Sequence, residues 1–153
     1  MTILDLTATR ELALPAPTVW SVLARYDRDP EWRTGVVTMA PSPPGEAHIG
    51  TTTIEEMRFG GRTFRNVAEV LDVVPHRSIT WRTIEGADAN GRRSVEPIDE
   101  GRCRATLELT VRPTGIERLL SPIIGRMIEH NLRSDLARLE QLATRDLTAS
   151  ATR

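Results

Sequence analysis

Lysine is absent from this sequence: all 20 basic residues are arginine. That excludes Schiff-base and pyridoxal-phosphate chemistry, which need a side-chain amine, and a Walker-type phosphate loop, which needs its lysine. Cysteine occurs once, at Cys103, so disulfide frameworks and thiolate zinc sites are out, and its place in an alternating run reads as a buried, inert thiol. His48, His76 and His130 share no i, i+4 or His-x-His spacing, so neither a metal site nor a cofactor is expected. Aromatic residues make up only 4% of the chain, which leaves few stacking surfaces for a flat ligand. No run of about 18 apolar residues occurs, so no integral membrane association is encoded. No basic segment with an apolar core opens the chain, and the cytoplasm is the expected compartment. Net charge is nearly lacking too. Twenty basic residues face 21 acidic ones, for a net charge of −1, and with no basic tract a nucleic-acid partner is not expected.

What is present suits one domain. At 153 residues and 39% hydrophobic content, folding removes roughly 70% of the accessible surface, enough for a core or an internal cavity without staples. A strand-like segment over Leu4–Leu14 ends at Pro15 and Pro17, and Pro17 suits the first turn of a helix whose apolar face is Val19, Trp20, Val22, Leu23 and Tyr26. A second short helical turn fits Asp29–Trp32. From Val36 to Pro113 the pattern has period two, with strands expected near Val36–Ala40, Thr51–Phe59, Arg62–Val74, Ser78–Glu85, Arg92–Pro97 and Arg102–Arg112. Gly60-Gly61 reads as a tight hairpin turn. Beyond Gly115 the period is helical again. Ser121-Pro122 resembles an N-cap and first helical residue, and Ile124, Ile128, Leu132, Leu136, Leu139 and Leu142 form one stripe. The domain is expected to span 1–144, with 145–153 as a polar, disordered tail. This order is α+β, in which a curved antiparallel sheet must bury one face on the long C-terminal helix.

Inward-facing polar residues follow from strand parity. Met57 and Phe59 carry Thr51, Thr53 and Glu55 inward; inverted parity would put Glu56 there instead. A carboxyl group in an apolar cavity suits general acid or base work, because desolvation favours its neutral form. Phe64, Ala68 and Val70 bring Asn66 to the same face, with Arg65 and Glu69 outward. Asn66 can donate and accept, which suits orienting a carbonyl or hydroxyl. Ile79 and Trp81 bring Thr83 inward, Trp81 serving as cavity wall or core. Val95 carries Arg93 inward, where the guanidinium needs a partner, either a ligand or Asp135. On the helix, 100° per residue from Ile128 places Asn131 and Asp135 within the apolar stripe. Asp135 is then an ion-pair partner fixing the helix on the sheet, or a catalytic group. His130 falls on the far side and faces solvent.

The chain also resembles the START-like (SRPBCC) superfamily, and within it the polyketide cyclase/dehydrase and lipid-transport group. The resemblance covers about Leu12 to Leu142. It is carried by Ala16-Pro17-Thr18-Val19-Trp20, Asp29-Pro30-Glu31-Trp32, Ile49-Gly50-Thr51, Glu69-Val70, Val74 through Trp81, Glu96-Pro97 with Gly101, and Asp135 through Leu139, in that order and spacing. It implies a helix-grip fold, with two short helices after the first strand and a cavity for a hydrophobic or amphipathic small molecule. It also puts Tyr26 and Trp32 near the cavity mouth, as gates or as packing anchors. The catalytic set expected is Glu55, Arg93 and Asp135, and the ligand-binding set is Tyr26, Trp32, Thr53, Met57, Asn66, Ala68, Trp81, Thr83, Ile124, Ile128 and Asn131. The enzymatic reading is a metal-free cyclisation and dehydration of a polyketide-like substrate, of aromatase-cyclase type. The alternatives are a non-catalytic carrier or sensor and, more weakly, an interaction module with a filled cavity. Monomer and homodimer both remain open.

Overall fold

The computed structural model describes residues 2–153. Its strands are β1 (Leu4–Leu12), β2 (Val36–Ser42), β3 (Thr52–Phe59), β4 (Arg62–Val74), β5 (Ser78–Glu85), β6 (Ala89–Asp99) and β7 (Arg102–Val111). They form a 7-stranded sheet in the order β1-β7-β6-β5-β4-β3-β2, antiparallel throughout. Helix α1 (Ala16–Leu23) and a 3₁₀ turn (Tyr26–Glu31) connect β1 to β2, and a second 3₁₀ turn (Gly115–Arg118) leads into α2 (Ser121–Ala151). The sheet curls around α2 in the helix-grip arrangement. Hydrogen-bonded neighbours are mostly consecutive in the chain, so hairpins build it, and only the β1–β7 pairing closes over a long separation.

One strand and one helix depart from the sequence reading at their ends. Strand β6 starts at Ala89 rather than Arg92, because Gly91 interrupts the apolar pattern but not the ladder: it pairs with Trp81 on one side and Leu109 on the other. A Cβ at Gly91 would lie 2.6 Å from the Trp81 ring and 2.5 Å from the Glu108 carbonyl oxygen, so only glycine lets the indole lie across the strand. Helix α2 begins with Leu120 as N-cap, and the Ser121 hydroxyl bonds back to the Glu117 carbonyl oxygen at 3.3 Å instead of capping. At its other end α2 passes Thr144 and continues to Ala151, so most of the segment expected as a disordered tail is helical. The reason is tertiary. Arg28 of the first 3₁₀ turn grips Asp146 through Nη1 at 2.5 Å and Nη2 at 3.2 Å, which ties this last part of the helix to the domain.

The single apolar stripe of α2 does two jobs. Leu136, Leu139, Leu142 and Ala143 are buried in a cluster with Leu12, Val19, Val22, Leu23, Ile79, Val95, Cys103 and Ala105. This is the dry core, and burial pushes the Cys103 thiol up to about 11, consistent with an unreactive side chain. Toward the N-terminus of α2, Ile124, Ile128 and Leu132 are only half-buried, and they roof an open space above the sheet.

Candidate functional site

That space is a cavity of about 440 Å³, within the range of small-molecule sites. Its walls are mostly apolar. Met39, Met57, Phe59, Phe64, Ala68 and Val70 come from the strands, and Trp81 lies across β6 as described. The mouth lies between the β3–β4 hairpin and the start of α2. Arg62 approaches Glu117 across it at 3.7 Å. Ile116, Leu120, Ile123 and Met127 form an apolar lip on the helical side, Ile116 being 72% exposed.

The deep end is polar, and parity places its side chains. Thr53, Glu55, Asn66 and Arg93 are all buried on the concave face. Glu55 does not sit in an apolar surround: its Oε2 accepts from Arg33 Nη1 at 2.7 Å and its Oε1 from Asn66 Nδ2 at 3.1 Å. The Asn66 carbonyl oxygen in turn accepts from the Ala87 backbone N–H at 2.9 Å. Gly86 makes that clamp possible. Its φ is +98°, and a Cβ there would fall 2.4 Å from Asn66 Oδ1. Thr83 lines the cavity, but its hydroxyl exchanges hydrogen bonds with the backbone N–H and C=O of Ala89, both at 3.0 Å, which secures the β5–β6 turn.

Arg93 requires a correction. Its carboxylate partner is not Asp135 but Asp29, in the first 3₁₀ turn. Nη1 donates to Oδ1 at 3.0 Å and Nη2 to Oδ2 at 2.9 Å, and Nη1 also bonds the Leu23 carbonyl oxygen at 3.1 Å. The guanidinium stacks on Tyr26, 4.1 Å from the ring centroid, with Trp32 at 5.3 Å. A buried bidentate pair of this kind holds structure together. Trp32, expected in the ligand-binding set as a gate or a packing anchor, does not line this cavity; at 1% exposed it packs in the core as an anchor. Tyr26 is buried but does line the cavity, and its hydroxyl, like the Trp32 indole N–H, has no partner among the described residues.

Asp135 is held from an unforeseen direction. Its Oδ1 accepts from the Thr34 backbone N–H at 2.7 Å and from the Thr34 hydroxyl at 2.6 Å. Arg138 donates to that same hydroxyl and stands 3.6 Å from Oδ1. Burial pushes the Asp135 carboxyl above the ordinary carboxylate range, the Thr34 bonds and the charges of Arg33 and Arg138 only partly opposing it. The sign follows from linkage: with its folded pKa raised, Asp135 favours the folded state most when protonated, and that contribution is lost as pH rises from the ordinary carboxylate value through the raised one. Asp135→Asn keeps an oxygen for both Thr34 donors and cannot ionise. The stability of the variant relative to the unaltered protein should therefore improve as pH rises from about 4 toward neutrality, measured by urea unfolding. A difference that is flat with pH would show that Asp135 is not desolvated.

Parity does not reveal Arg33, the central residue of the deep end. Burial lowers its affinity for the proton, but Glu55 and Asp29 more than offset this and hold it well above the usual arginine value. It bonds Asp29 Oδ2 at 3.0 Å and Glu55 at 2.7 Å, both through Nη1. Its segment lies between a 3₁₀ turn and a strand, where neither period two nor period 3.6 applies. The one available signal is the i, i+4 spacing of Asp29 and Arg33. Ile124, Ile128 and Asn131 of the expected ligand-binding set line the roof.

The family model described as polyketide cyclase / dehydrase and lipid transport matches residues 4–144. No curated protein matches the sequence. Among solved structures, the Zhui aromatase/cyclase of a Streptomyces species superposes with a TM-score of 0.80 at 18% identity, over 95% of this chain and 96% of that one. A Thermus thermophilus protein gives 0.80 at 18%, over 93% and 98%. A START superfamily protein from Mycobacterium smegmatis gives 0.74 at 16%, over 92% and 97%. At such identities these likenesses establish the shared fold alone.

Proposed function

The chain belongs to the polyketide cyclase/dehydrase and lipid transport family, and from that membership and the site's geometry we propose that it binds an amphipathic small molecule between its sheet and α2. What carries this is the cavity of about 440 Å³, with mostly apolar walls, an apolar lip on the helical side of its mouth and a cluster of charged side chains at its closed end. A ligand enters past Ile116, Leu120, Ile123 and Met127, buries its apolar body against Met57, Phe64, Ala68 and Ile128, and presents its polar end to Arg33 and Asp135.

Ala68 is the place to test this, since it lines the cavity on β4 and is not part of the core cluster. Ala68→Phe should fill the space, weakening binding of a solvatochromic naphthyl ketone at least tenfold while shifting the unfolding midpoint little. Binding unchanged by that substitution would mean the probe sits elsewhere, and the reading would fail.

A catalytic reading gains support from Asp135, a carboxyl group at the cavity with a raised pKa and its hydrogen bonds on one oxygen. In a cyclisation and dehydration, Asp135 takes a proton from the carbon next to one carbonyl, that carbon attacks a second carbonyl as its C=O π bond breaks, and the proton returns to the resulting alkoxide; Asp135 then removes the second proton from the same carbon and delivers it to the new hydroxyl, which leaves as water as the C=C bond forms. The free N–H edge of Arg33 donates hydrogen bonds to the oxygen of the first carbonyl. The carrier or sensor alternative needs the same cavity and no turnover. Asp135→Asn separates them: a cyclase loses product formation and keeps ligand affinity, whereas a carrier shows no product in either form.

A further inference from the structure

At the closed end of the cavity the ionised side chains cancel. Arg93 faces Asp29 through two bonds of 3.0 and 2.9 Å, and Arg33 bridges Asp29 and Glu55 at 3.0 and 2.7 Å. Two guanidinium groups thus answer two carboxylates, all four lying within one hydrogen-bonded cluster. The donors still open are distinctive. Both Nη atoms of Arg93 are engaged and its face is covered by Tyr26, which leaves Nε as its one nitrogen without a partner among the described residues. Arg33, by contrast, spends only Nη1; among the described residues Nε and Nη2 have no partner, and the side chain is on the cavity wall. The Tyr26 hydroxyl has no acceptor among the described residues either, but it is sealed from the open space and lies behind the cavity wall. Burial raises its pKa, so it stays a neutral phenol.

An anion entering here would meet a guanidinium already shared by two carboxylates, with Asp135 as a third acidic group in range of Arg33. Its desolvation would go largely uncompensated, since no unshared positive charge faces it. A carbonyl oxygen needs only N–H donors, and those are what the site leaves free. We propose that the ligand's polar end is an uncharged carbonyl oxygen, seated on the free edge of Arg33, and that the cavity discriminates against the matching carboxylate. This rests on the cavity being the ligand site and narrows what that site accepts.

The test uses two probes on one skeleton, acetylnaphthalene and naphthoate of the same substitution pattern, each displacing a solvatochromic naphthyl ketone from the full chain at neutral pH. The ketone should bind at least tenfold more tightly than the carboxylate. Arg33→Gln should lower ketone affinity about tenfold. Glu55→Gln keeps an acceptor for Arg33 but removes one negative charge, so it should move the ketone-to-carboxylate ratio at least fivefold toward the carboxylate; it decides the matter if the Arg33 variant does not fold. Naphthoate binding as tightly as the ketone, or a ratio unmoved in Glu55→Gln, overturns the charge assignment while leaving the cavity as ligand site. If neither probe nor the reporter binds, the cavity reading itself is wrong, and the assignment falls with it.

Discussion

Arg93→Met should cost the fold about 3–5 kcal/mol, the penalty typical of removing one partner from a buried ion pair. Both members are almost wholly inaccessible, Arg93 at 4% and Asp29 at 0% exposure, so water cannot replace what is lost. The variant strands Asp29 with Arg33 alone, frees the Leu23 carbonyl oxygen at the end of α1, and removes the cation that Tyr26 and Trp32 enclose. Asp29→Leu should be comparably damaging, because it strands Arg93 and weakens the hold on Arg33. The double variant should recover part of the loss, since the pair's main contribution is to avoid an uncompensated charge. Urea unfolding of the three variants supplies the cycle. A loss below about 1 kcal/mol for Arg93→Met would mean the pair behaves as a solvated one, and the role given to Asp29 would have to be withdrawn.

The second large effect is expected on α2. Leu139→Ala should cost about 2–5 kcal/mol, because a fully buried leucine leaves a cavity that its neighbours fill only partly, and Leu139 is 0% exposed. Ile128→Ala lies on the same stripe and changes a similar volume, yet its cost should be well under half as large. Ile128 is half-buried and borders a cavity of about 440 Å³, so truncation enlarges an existing space and breaks fewer contacts. Ile128→Ala should instead alter ligand affinity. Equal destabilisation by the two substitutions, measured by chemical denaturation, would mean that the N-terminal half of α2 is packed core and not a cavity roof.

Much of the architecture is legible because its signals are local. Period two over Thr53, Glu55, Met57 and Phe59 reflects the pleat itself, so the inward face of β3 follows from the backbone whatever the strand packs against. The same logic brings Asn66 and Arg93 to the concave side, where both are buried. The stripe on α2 is equally a property of 3.6 residues per turn. Trp32 shows where such signals end. It sits in a 3₁₀ turn and its flank, with no periodicity to orient it, and position near a loop leaves gate and anchor both open where packing makes an anchor. The end of α2 shows it again, since a polar stretch reads as a frayed tail until Arg28 is seen to hold Asp146.

Side-chain direction was therefore determined by the sequence alone, and partnership by the tertiary structure. Arg93 must point inward because Val95 does, yet its partner lies 64 residues away in a turn, and nothing in either segment distinguishes Asp29 from Asp135 as the answering carboxylate. Asp135 must face the sheet because Leu132 and Leu139 do, yet the donors that hold it belong to Thr34, 101 residues distant. One stripe of six aliphatic residues runs along α2 without a break in pattern, and only the closure of α1 over one end of the curved sheet makes half of it core and leaves the other half over a cavity. Periodicity is set by bonds between neighbours, whereas the choice among several possible ion pairs, and between a filled space and an open one, depends on where distant elements come to rest.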